Sequence, residues 1–530
     1  MAGSRQDVCN RVCLHGVHAF EIQKDVGSSA VKRCVVTTGY FSKRHIAKKF
    51  ISVAVSPLLI TACTVGPEYK KPEVAQPSSF RSQPADAGAR SIADTPWQNV
   101  FSDKTLQTLI AESLANNNDL RVAVSRIQQA RALVDVARSE GIPQFGYQGT
   151  AEGGRGASPE NETVRPVTFG NFTGLLTAAW ELDIWGRIRH TNEAAEANLL
   201  AQQDVRRGVM LTLVSDIAAN YFRLIELDQE LAIAKESAQV YKSTLDLFTL
   251  RFEAGRDSRL PVERAQSAYD SSTATIHDLT RQIGQLENAI STLVGAYPRD
   301  IPRGTPLEAQ AIPETPLGST TALLQRRPDI LEAEQKMIGA NAEIGVAEAN
   351  FFPKIGLAAF IGGQGISISS GTTGFGVWGA AANLSGPIFS GGKLEGVYHQ
   401  RQAFWDETVA QYRQTILVAF HETSDALVAR QTLVLRETAI QSQVKALQNS
   451  ADLALDRYRS GRASYFEILE AQQQLFPAKA QLAQNRRDQL IAVVNLYKAL
   501  GGGWTPDEQP TQQTAENLVH VSDTAESPKP

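Results

Sequence analysis

Cysteine is missing from most of this chain. All four, Cys9, Cys13, Cys34 and Cys63, fall in the first 63 residues, so nothing downstream can be stapled by disulfides or hold a thiolate metal site. Cys9-x3-Cys13 lacks the second cysteine or histidine pair that would complete a metal tetrad, and the eight histidines are scattered without ligand spacing. Charge is nearly balanced, at −4, which leaves no electrostatic footprint for nucleic acid. Long apolar runs are absent too. After residue 63 no run of ~18 apolar residues occurs, so no transmembrane helix is expected there, and strands are the remaining way to cross a bilayer. No nucleophile-elbow sequence surrounds a serine. Gly374-Phe375-Gly376-Val377-Trp378-Gly379 fits GxGxxG but continues as Ala380-Ala381-Ala382-Asn383-Leu384 with strand character, so it is not a dinucleotide loop. We expect no cofactor, no metal and no enzyme activity.

What is present is long and regular. From Arg187 to Phe252 there is no proline and one glycine, Gly208. Leu224, Leu227, Leu231, Ala234, Ala238, Tyr241, Leu245, Phe248 and Phe252 recur at alternating steps of three and four, a heptad seam. At ~1.5 Å per residue such a helix spans roughly 100 Å. A turn over Gly255–Leu260 follows, Pro261 opens a second helix, and that helix stops near Gly295. The pair predicts a coiled-coil hairpin. A second hairpin follows the seam Leu433, Ile440, Val444, Leu447, Ala451, Ala454, Tyr458, turns at Gly461 and runs to Leu500. Pro477 predicts a bend in its second arm.

Two glycine-rich patches read as strands, at about 142–153 and 172–185 and again at about 353–362 and 375–389. Trp180, Leu182 and Ile184 share one face, as do Ile355, Leu357, Ala359 and Ile361. Each strand has the length of a tilted bilayer crossing. Four strands cannot close a spanning barrel, for which about eight are needed, so an oligomer must supply the rest.

The chain repeats itself. Arg251-Phe252-Glu253-Ala254-Gly255-Arg256 returns about 206 positions later as Arg457-Tyr458-Arg459-Ser460-Gly461-Arg462. Pro143 pairs with Pro353, and Asn118-Asp119-Leu120 with Pro328-Asp329-Ile330, at an offset of about 210. A unit of this length is a duplicated domain-sized module rather than a short-repeat solenoid. We place the first copy at 101–300 and the second at 301–504. Residues 63–100 are a proline-rich lead, and 505–530 a polar tail expected to be disordered.

Ahead of these lie the basic stretch Ser42–Phe50, the apolar stretch Ile51–Ile60 and Ile60-Thr61-Ala62-Cys63. That order reads as a secretory signal within 1–62. Its end resembles a bacterial lipobox, which implies lipidation at Cys63. Thr64 rather than aspartate follows the cysteine, which under that resemblance implies delivery to the outer membrane. Residues 1–34 precede the signal and read as a gene-model extension, with the start nearer Val35 or Val36.

Val65-Gly66-Pro67-Glu68-Tyr69, Trp180-Glu181-Leu182-Asp183-Ile184-Trp185-Gly186-Arg187, Arg326-Arg327-Pro328-Asp329-Ile330, Gly386-Pro387-Ile388-Phe389-Ser390-Gly391-Gly392 and Tyr458-Arg459-Ser460-Gly461 with Glu470-Ala471-Gln472 occur in this order. Together they resemble the TolC-like outer-membrane factor family, in its lipoprotein branch serving drug efflux, over about 63–504. The resemblance implies a mainly α fold with a β-barrel part. In it, a homotrimer pools four strands per protomer into a twelve-stranded outer-membrane barrel, above a periplasmic α-barrel of long helices. It also implies a periplasmic adaptor, an inner-membrane pump and outer-membrane lipid as partners, with a passive duct between them. By the same resemblance Phe466, Glu467 and Glu470 ring the periplasmic mouth as a gate, with glutamate where aspartate is commoner. Gly255, Arg256, Gly461 and Arg462 are tips that meet the adaptor. Arg264 stands where the second copy carries Glu470, and Arg264, Arg259 and Tyr458 are candidates for a latch holding the mouth shut. Two other readings stay open, a type I protein secretion duct and a periplasmic coiled-coil lipoprotein with a structural role.

Overall fold

The computed structural model describes residues 64–83, 90–158, 165–368 and 371–503. The signal region with all four cysteines, Cys63 included, and the tail at 505–530 lie outside the described residues. Two short helices, α1 (Trp97–Val100) and α2 (Lys104–Asn116), lead into α3 (Asn118–Ser139). A hairpin of β1 (Gln144–Ser158) and β2 (Arg165–Leu182) follows, then α4 (Arg187–Glu253) and α5 (Arg259–Val294). After a linker the pattern returns as α6 (Thr320–Arg326), α7 (Pro328–Ala349), β3 (Lys354–Ile368), β4 (Gly371–Ser385), α8 (Lys393–Arg459) and α9 (Tyr465–Ala499). Both α4 and α8 contain 67 residues, roughly 100 Å each at ~1.5 Å rise.

The four strands form one antiparallel sheet in the order β1-β2-β3-β4, so β1 and β4 carry its two edges. Its pleat separates two faces. Tyr147, Leu176, Ile361 and Trp378 face one another along one row, and the row beside Phe145 continues as Ala178, Ala359 and Ala380. Phe145, Tyr147 and Trp378 are more than three-quarters exposed. The opposite face is mixed: it brings Thr150, Thr173 and Gln364 together, with Gln364 donating to Asn171 at 3.1 Å, but it also carries Phe360 and Phe375. One exposed, largely apolar face recurring with period two is the pattern of strands that meet lipid.

Strand ends differ from the sequence reading. β2 stops at Leu182 instead of Trp185 because Asp183 caps the next helix. Its carboxylate accepts from the Ile188 and Arg189 amides at 3.0 and 2.9 Å, satisfying donors that a helix start leaves open. Trp185 stacks on Phe352 at 4.7 Å and donates to the Pro353 carbonyl at 2.8 Å. β4 stops at Ser385 instead of Phe389, because β3 begins at Lys354 and offers nothing to pair with beyond it. β1 and β3 run further than expected toward the hairpin loops, to Ser158 and Ile368.

Along its first half α4 packs on α3 and α7, and along its second half on α5 and α9; α8 flanks α7 and α9. The main core forms a belt partway down. There Ile217, Tyr221 and Leu224 of α4 meet Leu106 and Ile110 of α2, Ile290 of α5 and Val494 and Tyr497 of α9, all fully buried. α4 is long and apolar enough by composition to cross a membrane, but 56% of its most apolar stretch is buried inside the protein. It is the central core helix. α9 continues through Pro477 as one helix. Proline denies a donor to the Gln473 carbonyl, and both residues line an open cavity of about 580 Å³ between α4, α5 and α9, through which water can reach that carbonyl.

Candidate functional site

The two hairpins end in near-identical turns. Gly255 and Gly461 have φ of 67° and 71°, the left-handed region that closes a helix end. In the first turn the Gly255 and Arg256 amides donate to Phe252 and Arg251; in the second the Gly461 and Arg462 amides donate to Tyr458 and Arg457, at 2.8–2.9 Å. Arg256 and Arg462 project from these tips and are exposed.

The copies meet along α4 and α9. From root to tip, Arg487 donates to Glu226 at 3.0 Å, Gln484 to Glu230 at 2.6 Å and Lys479 to Glu236 at 2.9 Å. Aromatic pairs Tyr241–Phe476 and Phe248–Tyr465 follow, with ring centroids 5.9 and 4.2 Å apart. At the tip Arg251 donates to the Tyr458 hydroxyl and lies 5.5 Å from the ring centroid. Asp257 holds the same guanidinium at 3.0 Å.

This changes the latch. Arg259 pairs one turn along its own helix with Glu263 at 2.7 Å and does not reach the second hairpin. Arg264 does cross, but onto the Phe466 ring at 5.6 Å rather than onto an acid. Of the three latch candidates only Tyr458 takes a hydrogen bond across the copies. Its partner Arg251 heads the repeated motif and corresponds to Arg457, and nothing local in the sequence marks it as the arginine that crosses. Phe466 is 54% exposed, on the same side of α9 as Glu470. Glu467 lies 4.0 Å from Arg457. Glu467 and Glu470 are exposed.

At the root of the seam Glu226 is 1% exposed. Burial and the neighbouring Glu230 carboxylate push its pKa up to about 7, against the pull of Arg487. Arg487 is shared with Asp488 at 2.8 Å, so it compensates Glu226 only in part. A raised folded-state pKa contributes stability that is full in acid and is lost as pH rises through 7. Glu226→Gln should therefore remove the fall in thermal midpoint that the native protein shows between pH 6 and pH 8. The effect is on the order of 1 kcal/mol, read by calorimetry. Equal pH slopes for the two proteins would rule this out.

An amphipathic four-stranded sheet with open edges, set on two long antiparallel helical hairpins, defines an outer-membrane channel whose helical part extends from the membrane. The family model "Outer membrane efflux protein" matches residues 109–296 and 320–502. The chain is 34% identical over 470 residues to the probable efflux pump outer membrane protein TtgC of Pseudomonas putida, covering 87% of this chain and 96% of that one. It is 31% identical over 453 residues to the cation efflux system protein CusC of Escherichia coli, covering 84% and 97%. The solved outer-membrane channel OprN superposes with a TM-score of 0.77 at 28% identity, over 84% of this chain and all of that one. The chain belongs to the outer membrane efflux protein family, and it is an outer-membrane channel of an efflux system.

Proposed function

We propose that three copies of this chain close head to tail into one tube that serves as a passive exit duct for drugs and solvents. The observation that carries this is the sheet, with one apolar face and both edges unpaired. Two copies would supply eight strands, a barrel that its own side chains fill; three supply twelve and leave a lumen. The helices agree, since α3 and α8 lie at the two sides of the helical layer as β1 and β4 lie at the two sides of the sheet.

The lead supports lipid anchoring at Cys63. Thr64 accepts from Arg189 at 2.7 Å and the Val65 amide donates to the Trp185 carbonyl at 3.1 Å, so residue 64 sits where β2 gives way to α4. A lipid on the preceding residue would enter the near leaflet there. Phe466, Glu467 and Glu470 form the gate, six carboxylates once tripled, a concentration of negative charge that favours bound cations. Arg251 and Tyr458 hold that gate shut. The exposed tips at Gly255, Arg256, Gly461 and Arg462 meet a periplasmic adaptor joined to an inner-membrane pump, which supplies energy and selects cargo.

Deleting the gene tests the reading, with growth scored on organic solvents, several antibiotics and metal-cation salts. We expect sensitivity to solvents and antibiotics, restored by the native gene. Sensitivity to the metal salts alone would replace drugs with cations as cargo. An unchanged profile on every agent would reject the efflux role.

A further inference from the structure

The cavity of about 580 Å³ between α4, α5 and α9 opens just behind the turns of the two hairpins. That size suits one small ligand, for which pockets of ~300–1,000 Å³ are usual. Its floor is apolar and buried, made by Ile233, Ala234 and Tyr241 of α4, Ala268 of α5, and Leu469 and Phe476 of α9. Tyr241 and Phe476 meet edge to face with centroids 5.9 Å apart, so an aromatic wall is in place. The rim on α5 is polar. Arg264, Ser267, Ser271 and Thr275 recur at steps of three and four, which sets them on one face of the helix, and all four are exposed. The two ends carry opposite charge. Glu230 closes the root end, where Gln484 already donates to it at 2.6 Å. Arg264 stands at the tip end. Among the described residues it makes no ion pair or hydrogen bond, and its one partner is the Phe466 ring at 5.6 Å.

We propose that this cavity binds an aromatic organic anion, its carboxylate on Arg264 and its rings between Phe466 and the Tyr241–Phe476 wall. The Phe466 ring takes only part of the guanidinium. Its N–H donors have no oxygen acceptor, and a carboxylate can take two of them in parallel. Glu230 repels an anion from the other end and so fixes which way round the ligand lies. A cation fits less well, because Glu230 already has a donor in Gln484 whereas Arg264 has no acceptor. Pro477 adds a second demand. It leaves the Gln473 carbonyl without its helical donor, and both residues line the cavity. Gln473 follows Phe466 on α9 by two turns, ~10 Å along the axis. A fused two-ring aromatic with an acid at one end and a hydroxyl at the other matches that separation, the acid meeting Arg264 and the hydroxyl donating to Gln473. Occupancy would pin Phe466 beneath Arg264, so the ligand acts on a residue of the gate proposed above. The site itself lies within one chain and needs no neighbouring copy.

The probe is 6-hydroxy-2-naphthoate, titrated calorimetrically into the full-length protein in lipid nanodiscs, with the heat of empty nanodiscs subtracted. We expect saturable binding of one molecule per chain, in the range of roughly 0.1–1 mM that so small a ligand reaches. The neutral amide, 6-hydroxy-2-naphthamide, should bind about tenfold more weakly, the size of a hydrogen bond to a charged group. 2-Naphthoate, which lacks the hydroxyl, should bind several-fold more weakly. Arg264→Ala should lower the affinity for the acid to that for the amide and leave the amide unchanged, and Arg264→Lys should keep the preference for the acid. Ser271→Trp, on the rim, should exclude all three probes. Arg264 and Ser271 are exposed, so none of these variants disturbs the core. Equal affinity of the native protein for acid and amide, or an Arg264→Ala variant that still prefers the acid, would overturn the anion site. Equal affinity for the two acids would remove Gln473 from it. Heat no greater than that of empty nanodiscs, or saturation at one molecule per three chains, would overturn the cavity as the site. Each of these failures leaves the efflux reading standing, because that reading is tested by the deletion phenotype.

Discussion

Arg251→Ala should open the channel. Purified and placed in a planar bilayer, the variant is expected to spend about a hundred times more of its time conducting than the native protein. The Arg251–Tyr458 hydrogen bond and the ring contact are half-exposed, so we assign each chain only ~1 kcal/mol from the low end of such interactions. Three chains that must release together then contribute ~3 kcal/mol, roughly two decades in the ratio of open to closed. Tyr458→Phe keeps the ring and loses the acceptor, and should give an intermediate increase. Arg259→Ala should leave conductance unchanged, because its partner Glu263 sits on the same helix. Native-like conductance of Arg251→Ala and Tyr458→Phe alike would remove the latch from this seam.

Asp103→Ala should produce the largest loss of stability. Asp103 is 4% exposed and caps α2, accepting from the Thr105 and Leu106 amides at 2.8 and 3.2 Å. It also accepts from the Tyr221 hydroxyl at 3.0 Å, the Thr305 amide at 2.9 Å and the Gln310 amide nitrogen at 2.7 Å. One carboxylate therefore joins α2, the central helix α4 and the linker between the two copies. Truncation strands several buried donors at ~1–3 kcal/mol apiece where water cannot replace the acceptor and removes a cap worth ~1 kcal/mol. We expect a total near ~4 kcal/mol and, for a chain of this size, a thermal midpoint lower by roughly 4 °C. Burial alone would raise the pKa of Asp103, but the hydrogen bonds from Gln310, Thr305, Leu106 and Tyr221 outweigh it and hold the group below the ordinary 3.8. The sign is opposite to that at Glu226. This stability is complete above the ordinary carboxylate range and is lost only as pH falls through the depressed value. The gap between native protein and variant should hold from pH 7 to pH 5 and shrink in stronger acid. A variant melting within 1 °C of the native protein at pH 7 would show that the junction is held elsewhere.

The two sites were legible to different degrees for physical reasons. The turns at Gly255 and Gly461 were readable because a helix end needs φ above zero and glycine takes it at little cost. Tyr458 was readable as part of a repeated motif. Arg251 was not, because its counterpart Arg457 faces the different neighbour Glu467, and no local rule says which arginine of a duplicated pair crosses to the other hairpin. Arg259 misled for the same reason, with an acid one helical turn away competing for it. Strand alternation sets Asp183 on the face opposite Trp180, Leu182 and Ile184, and only its position beside the α4 amides makes it a cap. Asp103 carries no sequence signal beyond that of an ordinary N-cap, since three of its five donors arrive from residues more than a hundred positions away.

Sequence alone determined the period of every long element: the steps of three and four that make the hairpins, the alternation that makes the strands, the glycine turns and the doubling of the module. These follow from local geometry, which acts between residues a few positions apart. Tertiary structure alone decided which charges pair across the α4–α9 seam, where β4 ends and which carboxylate gathers the core. Each depends on distances between groups far apart in the chain, and those distances exist only once the helices have packed.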